Sequence, residues 1–313
     1  MSVPVTEPKL TAADSLASTW EGFWFPPADS RPLALVRIVA GVLGLLACGT
    51  YGFDLVVWFG PDGLLPIETV ASWRAPAAMS LFDACETTLA LRLAFAGVML
   101  LFGLLAIGLL TPVVAVLAAV GWASLLHRGP MLAGPADDCL AILLWCVAIG
   151  AAGEHYSVDA WLHRRLGWSV ARPRVRTRLA FGLLQVHASV IAVAAVLAQL
   201  KGDAWWSGTA IWWISTREPG RLLDLSGLLL RSEYLCNLLT LGVVAWEIIF
   251  AVGLWFMPTQ RFIAQAALVV WPLIGLLVAE PLWGLTMASF TIPLTGLDLA
   301  PASDSAAHEG CSY

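Results

Sequence analysis

The sequence predicts an all-α integral membrane protein, a polytopic bundle of about seven to eight transmembrane helices plus an N-terminal interfacial helix. Three observations predict it. Apolar residues make up 59% of the chain and charged residues only 12%, about half the charged share of a soluble domain. Apolar stretches of bilayer-crossing length recur from end to end. The chain also holds 16 Trp, a residue that concentrates where an apolar body meets a wet edge. With a mean hydropathy of +0.80, these 313 residues cannot coat themselves with polar surface. Their number suits one helical bundle rather than a bundle with a large catalytic domain. The net charge of −5 offers nothing to nucleic acid.

The elements follow in order. Residues 1–30 read as a tail with an interfacial helix, because Thr19 to Pro27 carries Trp20, Phe23, Trp24 and Phe25. No basic start followed by an apolar run opens the chain, so no signal peptide is expected. The bundle occupies 31–299, with spans expected at 33–53, 88–108, 111–127, 137–153, 179–200, 235–257 and 262–280. An eighth apolar stretch, 281–299, carries Pro281, Pro293 and several Thr, and reads as a last span or a re-entrant piece. A polar tail, 300–313, closes the chain. Cys48, Cys85, Cys139, Cys146, Cys236 and Cys311 form no CxxC pair, so neither a metal site nor a disulfide framework is expected. No period of 20–50 residues repeats in the manner of a transporter's inverted repeats.

Orientation follows from the short loops, where Lys and Arg favour the cytoplasmic side. The loop over 163–178 holds Arg164, Arg165, Arg172, Arg174, Arg176 and Arg178, more than any other. It is expected inside, in the bacterial cytoplasmic membrane, with the N-terminus, Arg31, Arg37 and the Arg261 turn. Loops 54–87, 127–137 and 201–234 then lie outside, carrying Asp54, Asp62, Asp137, Asp138, Asp203, Trp58, Trp73, Trp205 and Trp206. A site is expected to open on that acidic, aromatic face.

Charged groups inside spans are costly and are candidates by default. Glu247 sits mid-way in LGVVAWEIIFAVGLWF. It is either a proton-carrying or catalytic group, or a carboxyl bonded to a neighbouring helix. His187, in LLQVHASVIAV, is either a proton carrier or a ring bonded to a backbone carbonyl; Gln185 lies on a different face. Arg37 and Arg92 start spans and read as snorkelling to the interface, Arg37 alternatively as a ligand contact. Asp137 and Asp138 cap the fourth span or bind a ligand, two carboxylates exceeding what one cap requires. Lys201 with Asp203 is a solvated couple or supplies a base. Trp205, Trp206, Trp212 and Trp213 form an interfacial belt or a platform for a flat ring such as a quinone. Ser157, Val158 and Asp159 read as the cap of a short helix. GxSxG, HExxH, P-loop and GxGxxG signatures do not occur in the required contexts. Gly41 and Gly44 are the nearest approach to a GxxxG pair.

Five strings in register carry a resemblance: RPLALVRIVAG at 31–41, GPDGLLP at 60–66, GEHYSVDAWL at 153–162, QVHASVIAVAAVLAQLKGDAWWSGTAIWW at 185–213 and AWEIIFAVGLWF at 245–256. Together they resemble the HTTM domain, the membrane part of vitamin K-dependent γ-glutamyl carboxylases and of many bacterial proteins. The likeness covers roughly 15–297. It implies a membrane bundle and, for a carboxylase, reduced vitamin K as cofactor and a Lys acting as base. With Trp205 and Gly208 aligned on the family's WxxG element, Gln199 stands where that Lys is kept, and Lys201 follows two residues later. Asp137 and Asp138 stand where the carboxylase has an Asn-His pair. The carboxylase's large lumenal domain has no counterpart here.

Three functions are compatible with these residues. The first is a non-enzymatic subunit or scaffold that docks a partner protein, lipid or quinone through its outer face. Gln199, Trp205, Trp206, Asp137, Asp138 and Arg37 would then be ligand contacts. The second is a vitamin K hydroquinone-dependent, carboxylase-like enzyme acting on a separate protein, with Lys201, Glu247 and His187 as its chemistry. The third is a proton-coupled transporter or channel using Glu247 and His187. Membrane lipids and another protein or membrane complex are the expected partners, and no metal is expected.

Overall fold

The computed structural model describes residues 12–74, 78–168, 173–217 and 222–296. Among them the only β pairing is one antiparallel bridge, Ala28 with Arg174. The helices are α1 (Ala12–Trp24), α2 (Arg31–Phe53), α3 (Leu55–Phe59), α4 (Ile67–Trp73), α5 (Thr88–Ile107), α6 (Thr111–Arg128) and α7 (Pro135–Ile149). They continue as α8 (Val158–Arg165), α9 (Val175–Gln199), α10 (Asp203–Trp206), α11 (Ala210–Thr216), α12 (Ser226–Leu229), α13 (Glu233–Gly253), α14 (Met257–Leu277) and α15 (Pro281–Thr291). Short 3-10 turns cover Leu81–Ala84 and Ile292–Leu294. The polar tail at 300–313 and the end of the 281–299 stretch lie outside the described residues.

Local chemistry sets the boundaries. Pro stands in the first turn of α2, α6, α7, α14 and α15, where its missing N–H is not needed. Thr87, Ser157 and Ser232 cap α5, α8 and α13 by accepting from Ala90, Ala160 and Leu235 N–H. α5 ends on Gly108, whose φ of 73° a side chain would resist. The Ser157–Asp159 string caps twice over. Its serine starts α8, and the Asp159 carboxylate accepts from Leu110 and Thr111 N–H at 2.8 and 2.7 Å, closing the start of α6.

Six helices, α2, α5, α6, α9, α13 and α14, are long and apolar enough to cross a bilayer. The remaining two expected spans are shorter. α7 has 15 residues and α15 has 11, about 22 and 16 Å of helix against a hydrocarbon core of about 30 Å. α15 lies in the middle of the bundle, packed on α2, α7, α9 and α14, with eight of its 11 residues buried. A helix sheltered by protein need not match the lipid thickness. The hydroxyls that made its sequence look irregular return to their own helix: Thr286, Ser289 and Thr291 each donate to a carbonyl three or four residues back at 2.7 Å.

Glycines let the helices close on one another. A Cβ on Gly275 would lie 3.0 Å from Gly284 Cα, where α14 meets α15. One on Gly41 would lie 2.7 Å from the Ala106 backbone, and one on Gly44 would strike the Phe102 ring, where α2 meets α5. The Gly41/Gly44 pair is therefore a packing seam. Trp271 stands edge to face with Phe250 and with Trp283 of α15, each at 5.1 Å between centroids, and Trp122 does so with Phe102 and Tyr51 at 5.7 and 5.9 Å.

Contacts distinguish two ends. At one, Arg37 from the start of α2 donates to Leu105 O at the end of α5 (3.0 Å) and to Tyr156 O after α7 (2.6 Å). Ser30 and Arg174 both bond Glu154 there, and α1 packs on α9, Arg178 donating to Phe23 O at 2.7 Å. We call this the arginine-rich end. At the other, the loop-rich end, Tyr51 from the end of α2 donates to Asp137 at the start of α7. Arg74 pairs with Asp83 at 2.6 Å, and Arg128 lies over the Phe59 ring. Arg74 also donates to His127 O and Ser80 Oγ to Ser124 O, at 3.4 and 2.7 Å, binding α4 and the 81–84 turn to the end of α6.

Candidate functional site

The buried charge lies where α9, α10, α11 and α13 converge. α9 and α13 run antiparallel: Gln185 donates to Leu254 O at 2.9 Å, and Trp255 donates to Ser189 Oγ at 3.0 Å. Further along, Gln199, the last residue of α9, donates from Nε2 to Glu247 Oε1 at 3.0 Å. α13 continues past this point for 247 − 233 = 14 residues, about 21 Å. The chain after α9 folds back beside that stretch. Gly208, at φ 74°, packs under Asn237, and Ile211 N–H donates to Thr240 Oγ1 at 3.2 Å. The 203–216 segment is thus a layer on α13 rather than a free loop.

Glu247 is the one carboxyl among the described residues with no exposed surface. Its Oε2 has no hydrogen-bond partner, nor do the neighbouring Gln199 Oε1 and Trp246 Nε1. A carboxylate only accepts, so it leaves Gln199 Oε1 facing no donor. The pair is therefore held by the one bond from Gln199 Nε2 to Glu247 Oε1. Replacing Glu247 by Ala removes this partner and leaves the half-buried Gln199 amide without it. We expect a loss of about 2 kcal/mol, with Glu247→Gln within about 1 kcal/mol of wild type. Thermal unfolding in detergent checks this, and equal stability of the Ala and Gln variants would refute the pairing.

The other predicted residues are dispersed. Lys201 and Asp203 are exposed and are not within ion-pair distance of each other, so Lys201 does not enter the buried pair. His187 bonds Leu183 O, four residues back, at 2.7 Å. It lies 199 − 187 = 12 residues before Gln199, about 18 Å along the helix. The structure does not join it to Glu247. Trp206 is 68% exposed and donates to Leu200 O at 2.8 Å; Trp205 is half-buried against Gly202. Arg37 has no exposed surface and does not snorkel. It ties carbonyls at the arginine-rich end, far from the loops it was grouped with as a ligand contact. Asp137 caps α7 by accepting from Gly134 N–H at 2.8 Å, and Asp138 is exposed beside it.

Asp137 also borders a cavity of about 610 Å3 at the loop-rich end. Tyr51, Asp54, Trp58, Glu280 and Leu282 are among the residues that line it. Tyr51 donates to Asp137 Oδ2 at 2.9 Å. No Lys or Arg is among the described lining residues. Burial, and then the Asp137 charge, push the Glu280 carboxyl above its ordinary range. Sequence reading found Asp54, Trp58 and Asp137 but missed Tyr51 and Glu280. The available signal was a carboxylate set between two apolar stretches and followed by Pro281. Among the described residues no group of three or more His, Cys, Asp or Glu is placed to hold a metal.

No family model matches the chain, and no curated protein or solved structure matches it. Among the described residues, fold and site define an all-helical bundle with six helices fit to cross a membrane, one fully buried carboxyl and an acidic cavity at one end.

Proposed function

We propose that this chain is an HTTM-like, non-enzymatic membrane subunit that docks a partner protein through its loop-rich end. The observation that carries this reading is the cavity at that end, which exposes Asp54 and Glu280 beside the buried Asp137, with no cation in its described lining. Leu64, Met131 and Leu46, each at least half exposed, lie in the neighbouring segments. The complementary partner carries a Lys or Arg on an apolar segment, and a charge pair in such a recess counts for more than one on an open surface. Arginine asymmetry supports placing this end outside the cytoplasm. At the position of the family's base, Gln199 is committed to Glu247, which agrees with a role in holding rather than transforming.

Docking should tighten with rising pH. Glu280 is held above its ordinary range in the free protein, and a cation beside it lowers it again, so binding releases a proton. In native membranes solubilised gently, wild type is expected to migrate as one discrete complex. Asp54→Asn with Glu280→Gln should release the monomer without altering its unfolding temperature. A complex that persists in the double variant contradicts the docking site.

One observation favours a quinol-dependent enzyme as the second reading: Glu247 is a buried carboxyl with an uncommitted oxygen, beside the residue aligned with the family's Lys. It predicts oxygen- and vitamin K hydroquinone-dependent epoxide formation by the purified protein that is lost in Glu247→Gln.

A further inference from the structure

A second cavity, of about 310 Å3, opens at the arginine-rich end, between the start of α6, the end of α7, α8 and the start of α9. Three arginines line it, Arg164, Arg174 and Arg176, together with two carboxylates, Glu154 and Asp159. The carboxylates are already engaged. Glu154 takes Arg174 on one oxygen and Ser30 Oγ, at 3.0 Å, on the other. Asp159 takes two backbone N–H groups of α6, one on each oxygen. Arg164 and Arg176 therefore face the cavity with no carboxylate within 4.0 Å among the described residues.

The floor also has an unmet polar atom. Thr111 is 2% exposed, lines the cavity, and its Oγ1 has no hydrogen-bond partner. Gly153 packs against that hydroxyl, since a Cβ there would lie 2.8 Å from Thr111 Oγ1. Two uncommitted guanidinium groups and one buried hydroxyl suit an oxyanion with several acceptor oxygens. The volume is at the lower end for small-molecule sites, enough for a polar head and not for a whole lipid. The wall beside it is apolar and exposed: Trp161, Leu162, Leu166 and Trp168 are 50%, 42%, 52% and 61% accessible. Arg165 lies over the Trp161 ring, 4.8 Å from its centroid, so it is turned away from the task. Arginine with exposed Trp and Leu on one short helix is the composition of an interfacial segment.

We propose that this cavity is a phosphate-recognition site filled by the headgroup of an anionic membrane phospholipid, held by Arg164, Arg176 and Thr111. The site is at the opposite end from the docking cavity and is independent of it.

The test uses the full chain in nanodiscs of phosphatidylcholine, with phosphatidylglycerol titrated in and bound lipid counted by native mass spectrometry. Wild type is expected to retain one phosphatidylglycerol in preference to phosphatidylcholine. Arg164→Gln with Arg176→Gln should weaken it roughly 30-fold, from about 1 kcal/mol per arginine. Thr111→Val should weaken it severalfold with an unchanged unfolding temperature, whereas Arg165→Gln should leave it intact. Equal retention of the two lipids, or full phosphatidylglycerol retention in the double arginine variant, would overturn the proposal. Inorganic phosphate as the control arm separates the sources. If millimolar phosphate binds and phosphatidylglycerol does not, the ligand is a soluble anion and the lipid assignment fails.

Discussion

Arg37→Met is expected to destabilise the bundle by about 4 kcal/mol, read as a fall in the unfolding midpoint of the detergent-solubilised protein. The guanidinium has no exposed surface and spans three segments of chain: its own α2, Leu105 O at the end of α5, and Tyr156 O in the link between α7 and α8. Leu105 O lies at the negative end of the α5 dipole and, besides accepting Gly108 N–H at 3.2 Å, keeps a lone pair for a cation. Met matches only the aliphatic stem and stops where the guanidinium begins, so it removes the charge and the donors to Leu105 O and Tyr156 O and leaves the space of the planar group unfilled. Arg37→Lys should recover part of the loss, because an ammonium reaches one carbonyl and lacks the planar fork for two. Arg92→Met gives the comparison. Arg92 is exposed at the start of α5, and its replacement should change stability by no more than about 0.5 kcal/mol. Equal effects at the two sites would remove Arg37 from its structural role.

Gly284→Leu should cost about 3 kcal/mol or more. A side chain at this position meets Trp271 O and the Gly275 backbone, and backbone cannot move aside as a flexible side chain can. The affected seam joins α14 to α15, and α15 is the helix around which α2, α7 and α9 pack. Forcing it outward also separates Trp271 from Trp283. Gly97→Leu is the control, since a Cβ at Gly97 meets nothing within 4 Å. Thermal unfolding followed by tryptophan fluorescence separates the two outcomes. A Gly284→Leu protein as stable as Gly97→Leu would mean the hairpin is not closely packed.

Much of the architecture was legible in composition and local strings. Runs of apolar residues gave the long helices, because only a helix satisfies its own backbone in an apolar medium. The Ser157–Asp159 string read as a cap and is one, twice over. The roles that depend on distant partners were not legible. Nothing near Arg37 tells that Leu105 and Tyr156 will surround it, so its position alone suggested snorkelling. Nothing in 281–291 separates a helix sheltered by neighbours from one facing lipid, and its length was therefore overestimated. Glu247 stood out from sequence as a buried acid, yet its partner, 247 − 199 = 48 residues away, follows only from the antiparallel register of α9 and α13. Glu280 was hidden by lying at a helix junction, where a carboxylate is ordinary.

Site-specific photocrosslinking tests the docking function most directly. A photoreactive residue replaces Trp58 or Leu282 at the acidic cavity, with His163 at the opposite end and Leu93 on the exposed face of α5 as comparisons. After illumination of intact membranes, one discrete adduct of a single partner protein is expected from Trp58 and Leu282. That adduct should vanish when Asp54→Lys is added. Adducts of equal yield from all four positions, or an adduct at the cavity that survives Asp54→Lys, would contradict docking through the loop-rich end.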